Sequence, residues 1–381
     1  MSAIYFDNQA STPLDPRVYS AMQPYLERLF GNPHSIEHGL GMRLAGKVQE
    51  AREQVAQAIG ADEREVIFTS GATEANNLAI QGAALFESRH RRSDGKSGRR
   101  KILTFATEHK CVLESCRALA RDGFEVEILP VKPDGLVDLE QLKQHLDEQT
   151  LLVSVMLVNN EIGLIQPLAA IAEACRQVGA KLHCDAAQAL GKVAIDVSAL
   201  GVDLMSLSAH KCYGPMGIGA LYLRRRPRMR IEPLFHGGGQ ERGLRSGTLP
   251  LPLCIGFGKA AQLAAQEQAR DWDHMLALRQ PLLDLLQSKA NRYRINGSLD
   301  QRVPHNLNFS FMGQSREAML KTLTGFSVSS GSACSAADVE PSYVLTSLGV
   351  TPDEATASVR ISLGRQTTED QVAQLAAALS L

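Results

Sequence analysis

Absences narrow this chain first. Its seven cysteines, at positions 111, 116, 175, 184, 212, 254 and 334, include no Cys-x-x-Cys pair. Neither a disulfide framework nor a thiolate metal cluster is therefore indicated, and reduced thiols are expected. Charge of one sign is also missing. With a formal net charge of -1 and 21% charged residues, the chain is no dedicated polyanion binder, and direct nucleic-acid contact is not expected. No apolar run approaches the roughly 18 residues of a membrane span, and the first eight residues lack a basic segment followed by an apolar one. The expectation is a cytoplasmic protein with no membrane partner. Metal ligands are sparse too: His34 and His38 stand four apart, as helical ligand pairs do, but no carboxylate or cysteine pattern accompanies them, and no metal is expected.

What is present suits a globular protein of two domains, because 381 residues exceed one compact core and 44% hydrophobic residues can fill two. Asp15-Pro16 reads as an N-cap followed by proline at the first helical position, and residues 40–59 read as a helix closed by Gly60. Strands are expected at 66–69, 102–106, 126–130, 151–158, 181–185, 204–208 and 219–223, with helices between most of them. That alternation predicts an α/β fold with a mostly parallel sheet of seven-stranded type flanked by helices. After residue 250 the pattern changes to a long helix over 255–289, short strands at 293–295 and 307–311, a further strand at 358–363 and a closing helix from 368. The expected division is a large domain over 14–250 and a smaller α+β domain made of 1–13 and 251–381. A basic run at 88–101 holds seven cations (Arg89, Arg91, Arg92, Lys96, Arg99, Arg100 and Lys101) against the single acid Asp94, and reads as a solvated loop.

Chemistry concentrates at strand ends. Lys211, in Ser208-Ala209-His210-Lys211, lies 26 residues after Asp185, which closes Leu182-His183-Cys184-Asp185. A lysine and a carboxylate so placed suit pyridoxal phosphate, which needs an amine to hold its aldehyde and an acid to keep its ring nitrogen protonated. Following a buried strand, Lys211 should be partly desolvated, with its pKa lowered. Gln188 lies one turn after Asp185, within reach of a phenolic oxygen. Thr69-Ser70-Gly71-Ala72-Thr73-Glu74 reads as a strand-to-helix turn able to cradle a phosphate at a helix N-terminus. His109, also after a strand, could stack on a cofactor ring as an acid or base. In Ser329-Ser330-Gly331-Ser332-Ala333-Cys334-Ser335, small residues that resist helix formation surround a thiol, and a mobile nucleophile is the expectation.

With those residues placed, the chain resembles the NifS/IscS-type cysteine desulfurases, within the fold type I, class-V aminotransferase-like pyridoxal phosphate enzymes. The likeness runs from about residue 5 to residue 364. Further segments that carry it are Phe6-Asp7-Asn8, Gly31-Asn32-Pro33-His34-Ser35, Thr107-Glu108-His109-Lys110, Val158-Asn159-Asn160-Glu161-Ile162-Gly163, His236-Gly237-Gly238-Gly239-Gln240-Glu241-Arg242 and Arg245-Ser246-Gly247-Thr248. The resemblance implies that Lys211 binds the cofactor, Asp185 pairs with its ring nitrogen, Gln188 with its phenolic oxygen, and His109 stacks over the ring. Ala72, Thr73, Ser208 and His210 would hold the phosphate, joined by Thr248 from a neighbouring subunit of a homodimer. Asn160 and Arg360 would grip the substrate carboxylate. Cys334 would take sulfur from L-cysteine as a persulfide, leaving L-alanine, and hand it to an acceptor protein serving iron–sulfur cluster assembly, tRNA thiolation or DNA phosphorothioation. A selenocysteine lyase and an inactive homologue serving as a scaffold are the competing readings. The chain stops at Leu381, where housekeeping members carry a longer tail that docks the scaffold, so the acceptor stays open.

Overall fold

Leucine and β-branched side chains dominate the central strands, and that composition is what a sheet covered on both faces requires. The structure is a computed structural model that describes residues 3–90, 98–330 and 340–380. Cys334 lies outside the described residues. In chain order the strands are β1 Ile4–Tyr5, β2 Val66–Thr69, β3 Lys101–Phe105, β4 Glu125–Leu129, β5 Thr150–Met156, β6 Lys181–Asp185, β7 Leu204–Ser208, β8 Gly219–Leu223, β9 Tyr293–Ile295, β10 Asn306–Phe311, β11 Phe326–Ser327 and β12 Ser358–Ser362. The helices are α1 Pro16–Glu27, α2 Gly39–Gln57, α3 Ala72–Arg89, α4 Lys110–Arg121, α5 Leu139–His145, α6 Leu168–Val178, α7 Val197–Leu200, α8 Leu251–Ser288, α9 Arg316–Thr322, α10 Tyr343–Ser347, α11 Pro352–Thr356 and α12 Glu369–Ser380.

Seven strands form the main sheet in the order β2-β8-β7-β6-β5-β3-β4. β8 alone runs antiparallel to its neighbours β2 and β7, so the carboxyl ends of β2, β3, β5, β6 and β7 share one edge, where ligands of open α/β sheets bind. All seven residues of β5 are buried. A second sheet, β12-β10-β9, is antiparallel, and its core centres on Tyr293, whose ring meets Phe311 edge-on at 5.1 Å. The parallel pair β1–β11 joins the first residues to this smaller body.

α8 belongs to both cores. Its first half (Leu251, Cys254, Phe257, Ala260 and Ala264) packs into the larger cluster, and its second half (Met275, Leu278, Leu282 and Leu286) into the smaller one. The sequence reading put the whole helix in the second unit, because helical periodicity records that a face is buried and not against what.

The basic run is bonded where it is described. Arg89 pairs with Glu232 at 2.8 Å, Arg99 donates to the carbonyls of Thr150 and Val178, and Lys101 pairs with Glu127 and Asp147. Arg99 and Lys101 brace the ends of β3, β4 and β5, so the reading as a solvated loop fails for them, while Arg89, at the end of α3, stays exposed. His34 and His38 do not share a helical face: His34 lies in a turn, and His38 caps α2 by accepting the Gly41 N–H at 3.0 Å. Among the described residues no helix is long and apolar enough to cross a membrane.

Candidate active site

The strands β2, β3, β5, β6 and β7 each deliver at least one functional group into a single cleft of about 1390 Å³. From β2 the chain turns through Gly71, at φ 154°, into α3. That backbone conformation favours glycine, and the turn is held close below: a Cβ at Gly219 of β8 would lie 2.7 Å from the Gly71 Cα. α3 starts with no side-chain cap, so its first N–H groups have no partner within the helix or from a cap. Ala72 and Thr73 line the cleft at that point. Ser208, His210 and Lys211 face them from the end of β7. Burial and then Lys211 bring the His210 pKa down to about 4, which keeps its imidazole neutral.

β6 ends at Asp185, which is buried. Its carboxylate accepts from the Asn76 amide at 2.7 Å and from the Ala187 backbone N–H at 2.9 Å. Among the described residues no ion pair involves Asp185, leaving a buried carboxylate that would gain from a cationic N–H. Gln188 lines the same wall and donates to the Gln9 carbonyl at 2.8 Å. Lys211 Nζ donates to the carbonyls of Gln9 and Ala10 at 2.6 and 2.7 Å. Burial, with Arg360 second, lowers its pKa to about 8.

His109 follows β3 and is the N-cap of α4. The residue keeps an exposed side, but desolvation of its ring by the surrounding cleft lowers its pKa, while Asp185 opposes that shift. Asn160 follows β5; its backbone carbonyl accepts from Arg360 at 2.6 Å, and its side-chain oxygen is buried with no partner. Arg360, in the middle of β12, brings the smaller sheet to the cleft and pairs with Asp7 at 2.6 Å. Its Nε is also buried without a partner. Each of these residues thus brings one unpaired buried polar atom to the cleft wall, where a ligand's polar groups can satisfy them.

The cleft thus gathers Ala72, Thr73, His109, Asn160, Asp185, Gln188, Ser208, His210, Lys211 and Arg360. Thr248 is not among its lining residues and is exposed in the protomer. The donor set fits pyridoxal phosphate: an uncapped helix N-terminus for the phosphate, a carboxylate without a cation for the ring nitrogen, and an amine between them. Sequence reasoning missed four groups. Asp7 engages Arg360. Glu108 is fully buried; burial raises its pKa well above the carboxylate range, and one oxygen accepts the Met156 N–H while the other has no partner. Asn76 and Cys111 sit between Asp185 and His109. Position 76 lies one turn beyond Thr73, and that spacing could have flagged it. Cys212, next to Lys211, is buried with its sulfur 3.3 Å from the Ala209 carbonyl, and it packs into the core.

Residues 4–375 match the protein family described as aminotransferase class-V. Over 369 residues the chain is 50% identical to the cysteine desulfurase IscS of Rickettsia africae (strain ESF-5), covering 97% of this chain and 88% of that protein. Against the protein of the same name from Rickettsia bellii (strain OSU 85-389) the identity is 51% over the same shares. Among solved structures it is similar to a NifS-like protein, with TM-score 0.89 and 35% identity over 99% of this chain and 98% of that one. It is also similar to SspA in complex with cysteine, with TM-score 0.82 and 34% identity over 96% and 100%. For DndA from Streptomyces lividans the TM-score is 0.79 and the identity 41% over 93% and 98%.

Proposed function

The chain belongs to the class-V aminotransferase family, and from that premise we propose that it is a pyridoxal-phosphate-dependent cysteine desulfurase that converts L-cysteine to L-alanine and moves the sulfur onto Cys334. One observation carries the reading: Lys211 and Asp185, at the ends of the neighbouring strands β7 and β6, open onto the cleft that also receives the uncapped N-terminus of α3. The relatives named cysteine desulfurase and the neighbour solved with cysteine support the substrate.

When bound, pyridoxal phosphate supplies an electron sink for the pair left on the substrate α-carbon. Asp185 would keep a proton on its ring nitrogen, Gln188 would contact its phenolic oxygen and His109 would stack over the ring. The first N–H groups of α3 at Ala72 and Thr73, with Ser208 and His210, would hold its phosphate, and Thr248 of a second protomer would complete that grip. Lys211 would tether the cofactor through Nζ, and that nitrogen, once released as the free amine when the substrate's amine takes its place, would take up the α-proton, a task suited to an amine whose pKa is lowered to about 8. Arg360 offers its fork, and Asn160 its unpaired oxygen and neighbouring backbone, to fix the substrate's carboxylate end. Cys334, as the thiolate, attacks the substrate sulfur. The Cβ–S bond breaks, an S–S bond forms, and the carbon keeps the electron pair and gains a proton to become the alanine methyl group.

The same proposal assigns residues 14–250 together with the first half of α8 to the cofactor-bearing unit, and 1–13 with the remainder of the chain to 381 to the smaller unit that carries Cys334. It makes the enzyme a homodimer: Tyr19, Leu26, Phe30, Ile36 and Met42 stand exposed along one stretch of chain, Phe30 at 73%, and such a run is better covered than wet. The compartment is the cytoplasm, and the acceptor is a protein thiol in cluster assembly, tRNA thiolation or DNA phosphorothioation. The test is the absorption spectrum of the purified protein, followed by alanine and sulfide release from L-cysteine with a reductant. A visible cofactor band, equal alanine and sulfide, and loss of sulfide in Cys334→Ala are expected. A colourless protein that cannot be reconstituted with pyridoxal phosphate would overturn the reading and favour a scaffold role.

A further inference from the structure

Asn76 and Cys111 form a bridge that the reaction as described does not use. Asn76 is fully buried on α3, and its amide nitrogen donates to Asp185 Oδ2 at 2.7 Å and to Cys111 Sγ at 3.1 Å. Cys111, in the first turn of α4, places its sulfur 3.0 Å from His109 Nδ1, and its backbone N–H donates to that same nitrogen at 3.2 Å. Chemistry fixes the direction of every link. The amide must turn its nitrogen to Asp185, because its oxygen at that distance would face a carboxylate. The backbone N–H shows that Nδ1 is an acceptor and carries no proton. Sulfur, already accepting from Asn76, then has its S–H to give.

We propose that Cys111, oriented by Asn76, is a positioning residue of the cofactor site: its S–H donates to His109 Nδ1, fixes the imidazole as the neutral Nε2–H tautomer, and ties that ring to the Asp185 carboxylate. Four groups thus form one chain, in which Asn76 donates one N–H to the acid expected to meet the ring nitrogen and the other to Cys111, and Cys111 donates to the imidazole expected to stack over the ring. The charged groups facing His109 are Asp185, Lys211 and Lys110. Facing Cys111 are the charged Asp185 and the titratable Glu108, whose own burial favours its neutral acid, with the Thr73 hydroxyl and the Asn76 amide also in contact. Burial and then Asp185 push the Cys111 thiol up to about 12, so it remains a donor across the working pH range. The significance for catalysis rests on the desulfurase reading, but the hydrogen bonds do not need the cofactor.

The experiment is nitrogen-15 NMR of histidine-labelled full-length protein, with and without pyridoxal phosphate, with the His109 signals assigned by their loss in His109→Gln. A protonated Nε2 and a bare Nδ1 are expected. Removing one donor from the neutral ring should raise the His109 titration midpoint in Cys111→Ala by about half to one pH unit. Cys111→Ser should restore it. Asn76→Ala should shift it less, and the double variant no further than Cys111→Ala alone. An Nδ1–H tautomer in the parent protein, an unmoved midpoint in Cys111→Ala, or a serine variant that behaves as the alanine one would overturn the proposal. Because the ring is read in cofactor-free protein too, such a failure is distinct from a failure to bind the cofactor.

Discussion

Burial lowers the Lys211 pKa to about 8, and Arg360 adds to that effect. An amine that accepts the α-proton must first be neutral, so turnover should rise as pH climbs through about 8 and level off above it. In Arg360→Gln one depressing charge is gone, and the rising limb should move to higher pH; a kcat–pH profile of both proteins checks the sign. Arg360→Lys keeps the charge and loses the fork. It should raise KM for L-cysteine by about ten- to a hundredfold while changing kcat less, as initial rates over a range of cysteine concentrations would show. At this scale the sequence was readable wherever a residue type is scarce in its setting, as with a lysine or an aspartate closing an apolar strand. Asp7, Asn76 and Cys111 are ordinary residues in ordinary places, and only the meeting of α3 with α4, or of the N-terminal segment with β12, makes them part of a site.

Among the elements, the loop after residue 235 is held to β2 by a buried pair. Glu241 and Arg52 meet through two contacts of 2.6 and 2.7 Å, and Glu241 also accepts the Phe68 N–H at 2.7 Å. Removing either partner strands a buried charge. Arg52→Ala should therefore lower folding stability by about 3–5 kcal/mol, measured by denaturant unfolding of the cofactor-free protein. Arg245 adds a second tie from the same loop to Glu74 in the first turn of α3, at 2.8 Å. Strands were legible because continuous leucine, valine and isoleucine runs admit few other readings, and β6, β7 and β8 fall on the expected residues. β1 and β11, of two residues each, carry no period to read. Their pairing comes from the tertiary fold.

Across the whole molecule, the proposed homodimer would cover the exposed side chains of Tyr19, Leu26, Phe30, Ile36 and Met42 and bring Thr248 to the neighbouring cleft. If the second protomer completes the phosphate site, Phe30→Asp should shift the protein to monomers in sedimentation experiments, and cofactor retention should fall with it. The fold class followed from alternation of helix and strand. Which surfaces meet could not, because apolar spacing looks the same whether a face meets its own chain or another.

α8 supplies a wall to each core with one unbroken helix. A recombination event or an engineered fusion that cut the chain near residue 250 would leave the larger body without the helix half it packs against, and one that cut after α8 would do the same to the smaller. The two bodies are therefore not separable modules, because a change to the packing face of either half of that helix is felt in the body it walls.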